Sequence, residues 1–286
     1  MRLPRIVEME LRHRALQVLC LADPDEKAAA TLALYAQADE CSIATSAPTP
    51  APNQALPGVP VRPVLLHHTA VKRRSPATPQ GRAVLLHAIA HIEFNAINLA
   101  LDAVWRFDGM PSAFYLDWLR VAAEEAQHFQ LLRDLLRSLG HDYGDFPAHQ
   151  GLWTMCEKTQ HDITARMALV PRTLEARGLD ATPLIQQKLR QAGTPDALAA
   201  VAVLDTILRE EVGHVAIGNH WYRWLCARDG IEPESHYAQL AQQYQAPRPK
   251  PPLNESARRQ AGFTDTELAW LLYTDESTPK PVLHTD

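Results

Sequence analysis

The sequence predicts an all-α protein built around a four-helix bundle. Three observations carry that expectation. Four long apolar stretches with helical spacing fall between residues 81 and 228. The connection between the second and third is long (HDYGDFPAHQG), as two antiparallel hairpins joined once require. No segment sustains the period-two alternation of a half-buried strand.

The elements follow in chain order. Residues 1–80 read as a helical hairpin and a connector. The helices are Arg5–Cys20 and Asp25–Ala38, separated at Asp23-Pro24, where Asp23 or Asp25 caps the second. Residues 42–80 hold eight prolines, which block helix interiors and central strands, so they form an extended connector. Its apolar residues Val61, Val64, Leu65 and Leu66 are expected to lie on a folded surface. Residues 81–228 are the bundle. Gly81–Phe107 is apolar nearly all round, which marks a buried helix. Pro111–Gly140 is framed by Pro near its start and Gly past its end. A third helix runs from about Leu152 to Arg177, stops at Gly178 and is bent or broken at Pro171. Pro183–Ala192 is a short helix. Thr194–Arg228 is the fourth long one, with Thr194 as N-cap and Pro195 at the first helical position. Residues 229–286 are a Pro-rich extension whose short helix Asp265–Tyr273 packs back on the bundle.

Composition narrows the function. The chain has 286 residues, 46% of them hydrophobic and 21% charged, which is ordinary for a globular protein. Only 12 are glycine, and neither Gly-rich phosphate-binding motif occurs. The net charge of −5 argues against bulk attraction to nucleic acid or anionic lipid. Two basic clusters, Lys72-Arg73-Arg74 and Arg248/Lys250/Arg258/Arg259, are read as solvated surface, with docking of an anion such as RNA phosphate as the sharper alternative. Four cysteines at 20, 41, 156 and 226 form no C-x-x-C pair and read as reduced thiols. The N-terminus has no apolar signal core, and the longest apolar runs fall short of the ~18 residues of a membrane span. A cytoplasmic protein is expected.

Chemistry concentrates in two matched motifs. The second long helix holds Glu124-Glu125-Ala-Gln-His128, and the fourth holds Glu210-Glu211-Val-Gly-His214. Positions i and i+3 share a helical face, so Glu125 points with His128 and Glu211 with His214. A carboxylate and an imidazole from each of two facing helices make half of a dinuclear metal site, with donors suited to iron or manganese. A third Glu-x-x-His, Glu10 to His13, lacks the preceding acid and is taken as chance. Each matched motif also has a glutamate on the preceding helix. Glu93 lies 32 residues before Glu125, inside a run where a bare carboxylate is costly to bury. Glu175 lies 36 residues before Glu211. Two helical hairpins thus supply four carboxylates and two histidines. Glu157 and His161 share nearly the same face as Glu175, several turns away. Arg172, Arg177 and Arg209 are the cations that would neutralise these acids in a metal-free bundle. His87 and His91 read as a core pair, and Trp105, Phe107, Tyr115 and Trp118 as core or surface-covering residues.

These segments resemble a known superfamily. The Glu plus Glu-x-x-His pattern on two hairpins is similar to the ferritin-like di-iron carboxylate proteins, which include ferritins, ribonucleotide reductase small subunits and a tRNA hydroxylase. More narrowly, HAIAHIEFNAINLALDAVWRF, YGDFPAHQGLW, RMALVPRTLEARGLD and REEVGHVAIGNHW resemble the bacterial family called domain of unknown function 455, over roughly residues 60–275. The resemblance implies the bundle and a metal site at Glu93, Glu125, His128, Glu175, Glu211 and His214. It further implies that Glu124 accepts a hydrogen bond from His214 and Glu210 one from His128, fixing each tautomer.

The expected function is a di-iron or manganese–iron oxidoreductase that activates O2 or peroxide, possible analogues including a tRNA-hydroxylase-like monooxygenase. Such a site needs an electron donor, a reductase or ferredoxin. The alternatives are a ferroxidase or iron-handling protein, and a non-catalytic binding protein stabilised by its metal. The long extensions at both ends point to a monomer or small homo-oligomer rather than a storage cage.

Overall fold

A computed structural model describes residues 10–48, 51–67, 69–71 and 74–272. Among the described residues the protein is all-helical, and β-pairing is limited to two isolated bridges, Glu10 with Ser42 and Leu65 with Ala148. The helices are α1 (Leu11–Leu19), α2 (Pro24–Ala36), α3 (Pro79–Arg106), α4 (Ser112–Ser138), α5 (Gly151–Lys158), α6 (Ile163–Leu169), α7 (Ala176–Ala192), α8 (Pro195–Asp229), α9 (Pro233–Gln243), α10 (Glu255–Gln260) and α11 (Asp265–Leu272). A 3-10 turn covers Ala38–Glu40, and a π turn over Val170–Glu175 joins α6 to α7.

Two long pairs organise the molecule. α3 packs along α4, α7 along α8, and α4 meets α8 between them. α1 lies on α3 and α2 on α4, while α10 reaches α7 and α8. Capping explains the boundaries. Thr78 accepts from Gly81 N at the start of α3, and Asp23 accepts from Asp25 N and Glu26 N at the start of α2. Gly230 ends α8 in the left-handed region that favours glycine. Glu10 of the isolated Glu-x-x-His caps α1 through Arg12 N and His13 N. The start of the expected first helix, residues 5–9, lies outside the described residues, as do Lys72, Arg73 and Tyr273.

α3 has a mean hydropathy of 1.4 over 18 residues, enough in length and composition to cross a membrane, but 72% of that window is buried in the protein. It is therefore a core helix. All four cysteines are unpaired thiols. Trp105, Phe107, Tyr115 and Trp118 are all buried.

Several elements differ from the sequence reading. The third long helix is not one rod. α5 ends at Lys158, Asp162 caps α6, and Pro171 sits in the π turn rather than at a simple kink. The chain does not stop at Gly178, and Pro183 lies inside α7 rather than starting a new helix. Pro183 cannot donate to Leu179 O, four residues back, and Asn254 Nδ2 donates there instead at 3.2 Å. The extension gains two helices the reading lacked, α9 and α10. The connector does not lie down on its apolar side chains, since Val61 and Val64 are 98% and 59% exposed. Its contacts include buried Pro57, Gly58 and Pro63 and the backbone pairing of Val64 and Leu66 with Ala148. Arg258 is not surface either: it is buried and donates to both carboxylate oxygens of Asp180.

Candidate metal centre

α3, α4, α8 and the π turn each deliver carboxylates to one buried place. Glu93, Glu125, Glu175 and Glu211 are all buried, and His128 and His214 are fully so. One donor atom from each of Glu93, Glu125, His128 and Glu211 falls within 4.8 Å of the others, the spacing of a group that can hold a metal ion. His214 is not one of that group but lies against it, beside Glu125. The two imidazole centroids are 5.6 Å apart.

Glu125 stands between the histidines. Its Oε2 is 3.3 Å from His128 Nδ1 and its Oε1 is 2.8 Å from His214 Nδ1. Glu93 Oε2 is 3.4 Å from His128 Nδ1, and Glu211 Oε1 is 3.6 Å from His214 Nδ1. Glu175 lies within hydrogen-bonding distance of none of these groups, and both its oxygens are buried without a partner.

Outside the ring, two acids cross over. Glu210 Oε2 is 2.8 Å from His128 Nε2, and Glu124 Oε2 is 2.7 Å from His214 Nε2. An ionised carboxylate only accepts, so Nε2 carries the proton and donates in both pairs. In a neutral imidazole that leaves the Nδ1 lone pair aimed inward, as a metal ligand requires.

The electrostatics are those of a site short of cations. Burial, with the charge of Glu125 alongside, pushes the Glu93 carboxyl up to about 8. Burial and the charges of Glu211 and Glu125 push Glu175 well above the carboxylate range. Burial works against charge on His128, but Glu125 and Glu93 outweigh it and raise the imidazole to about 11. His214 is raised likewise, burial being outweighed by Glu125 and Glu124. Burial opposes ionisation of Glu124, but His214 prevails and lowers it. Protons thus balance the acids, and metal cations compete for the same positions.

The arginines suggested as neutralisers do not enter. Arg172 pairs with Glu267, and Arg209 reaches only the outer Glu210, with Nη2 3.3 Å from Oε1. Five donor atoms are buried without a hydrogen bond of acceptable geometry: Glu93 Oε2, Glu125 Oε1, both oxygens of Glu175 and His214 Nδ1. Three of them still lie against an opposite partner, Glu125 Oε1 with His214 Nδ1 and Glu93 Oε2 with His128 Nδ1. The true orphans are the Glu175 oxygens, costly to bury unless something positive is coordinated there. The donor set, oxygen-rich with two nitrogens, fits iron or manganese.

His87 and His91 stand apart as a core pair. His87 Nε2 accepts from Gly144 N at 2.9 Å, and His91 Nδ1 is 2.8 Å from the Tyr143 hydroxyl. Burial holds both near 4, so they are neutral. Glu157 accepts from Trp153 Nε1, away from the cluster. Sequence reasoning missed the hold on the π turn by Arg172 and Glu267; the only local signal was Pro171.

Fold and site together define an all-helical protein with a buried Glu/His cluster able to hold metal. The chain belongs to the family described as protein of unknown function (DUF455), which it matches over residues 20–269. It is 51% identical over 236 residues to a Haemophilus influenzae protein named "Uncharacterized protein", covering 80% of this chain and 81% of that one. No solved structure matches it significantly.

Proposed function

We propose that this chain is a ferritin-like four-helix bundle that binds two iron ions, or a manganese–iron pair, and acts as an oxidoreductase on O2 or peroxide. The observation that carries this reading is the burial of four carboxylates around two imidazoles, with both Glu175 oxygens unpartnered and the Nε2 of each histidine turned outward to a further acid. Such a metal pair, when bound, supplies two electrons to the oxidant. The protein's part is to hold and orient. Glu125, set between the two Nδ1 atoms, and Glu211 would hold both ions. Glu93 and Glu175 would complete the ligand set, one from each hairpin. Glu210 and Glu124 keep His128 and His214 in the inward-facing tautomer. Their side chains are 30% and 31% exposed, so these two acids form the solvent side of the site. The electron donor is a separate reductase or ferredoxin, and the protein works as a monomer or small oligomer.

The test is anaerobic loading with Fe(II), then an O2 pulse followed by absorbance and Mössbauer spectroscopy. The reading expects two irons per chain that oxidise together to a spin-coupled pair. A single high-spin iron, or iron indifferent to O2, overturns it.

A further inference from the structure

The π turn that ends in Glu175 is held residue by residue. Pro171 lies against Gly218 of α8 so closely that a Cβ at Gly218 would stand 2.4 Å from the Pro171 Cβ. Arg172 is 1% exposed, and its guanidinium lies 4.8 Å from the rings of Tyr237 and Phe263 and 5.3 Å from that of Tyr222. It donates to Asn219 Oδ1 at 2.6 Å and to Glu267 Oε1 at 2.5 Å. Thr173 Oγ1 donates to Ala168 O, five residues back, and shares a 2.9 Å hydrogen bond with the Tyr237 hydroxyl. Tyr237, Phe263 and Glu267 all come from the C-terminal extension. Glu267 is itself fixed, accepting from Arg223 Nη2 at 3.0 Å and Thr264 N at 2.8 Å.

A buried Arg–Glu pair gives little net stability over an apolar pair of the same volume, so geometry is its better explanation here. A π turn carries one residue more than an α turn. Relaxing it to α would rotate the following residues by about 100° relative to α6. Glu175 is the last residue of that turn and would swing off the cluster.

We propose that Arg172 and Glu267 form a clamp through which the C-terminal extension positions Glu175, and with it the second metal ion. This rests on the dinuclear reading above. Arg172, Tyr237 and Glu267 are positioning residues and touch no metal.

The test uses the full chain, titrated anaerobically with Co(II) and followed by visible absorption. Its variants are Glu267→Ala, the milder Tyr237→Phe, and Leu11→Ala as a control. Leu11 is a fully buried residue in α1, beside Arg12, which bonds Trp105 O three turns beyond Glu93. Backbone hydrogen exchange over 168–178 is measured on the same samples. The clamp predicts that wild type takes up two equivalents. In Glu267→Ala the first equivalent is unchanged, while the second is weakened about tenfold or more, the size expected when the support of a ligand is lost. Tyr237→Phe shows the same effect, smaller, and exchange over 168–178 is faster in both. Leu11→Ala keeps both equivalents despite a lower melting temperature. Wild-type affinity for both equivalents in the two extension variants overturns the clamp, and so does equal loss in Leu11→Ala. If wild type binds fewer than two Co(II), the dinuclear reading fails instead. Exchange then decides the clamp: faster exchange confined to 168–178 supports it, and unchanged exchange overturns it.

Discussion

Glu125 is the residue on which the site turns, since its two oxygens address both imidazoles. The acids around it divide by task. Glu124 and Glu210 bond the far side of the histidines, so removing either loosens the ring without removing a ligand. Glu124→Ala or Glu210→Ala should weaken metal affinity about 10–100-fold with the fold intact, read by competition against a chelator. Unchanged affinity would show that the crossed bonds do not orient the histidines. Glu93, Glu125, His128 and Glu211, which the structure brings within 4.8 Å of one another, were legible because their spacing is a helical one and their neighbours are apolar. Lys27 was not legible. It is fully buried in α2 and donates to Gly58 O and Asn98 Oδ1, joining the connector to α3. Burial, partly offset by Cys20, brings its ammonium down to about 7. Between about 7 and 10.5 the unfolded chain binds a proton that the folded one does not, so Lys27 makes stability rise with pH across that window. Lys27→Met abolishes that rise. Its cost by urea unfolding should be about 2 kcal/mol greater at pH 9 than at pH 6.5. A gap that stays constant would mean Lys27 is not the titrating group.

At the scale of elements, the helices whose ends are set locally were read closely and the third was not. Thr78, Pro111, Pro195 and Gly230 act locally, so α3, α4 and α8 declare their own ends. Pro171, Gly178 and Pro183 are breakers that tertiary contacts override. Pro171 is absorbed by a π turn seated on Gly218, and the carbonyl freed by Pro183 is taken by Asn254. Neither partner lies near in sequence, so no local pattern reveals them. α9 was hidden by the proline content around it. The extension that rescues α7 is anchored by Arg258, which donates to Asp180 at 3.0 and 2.6 Å. Asp180→Ala leaves a buried guanidinium unpaired. It should cost about 3–5 kcal/mol and loosen α10 from α7. Thermal melts and hydrogen exchange over 254–262 check this, and a loss confined to a few tenths of a kcal/mol would contradict it.

Over the whole molecule, the centre ties together α3, α4, α8 and the π turn, while the N-terminal hairpin and the extension wrap outside. Metal bound there would therefore be coupled to folding. With free metal at 100 times its dissociation constant, each site adds about 2.7 kcal/mol, so dialysis against a chelator should lower the melting temperature clearly and reversibly. An unchanged melting temperature would place the metal outside the fold's energetics. The most direct measurement is the metal content of the purified chain, by elemental analysis, beside that of a Glu125→Ala/Glu211→Ala double variant and a His87→Ala control. Circular dichroism confirms that each is helical. The dinuclear centre predicts two metal ions per chain in the wild type and in His87→Ala, and most of that metal lost from the double variant. A folded double variant that still carries two metal ions per chain would contradict it.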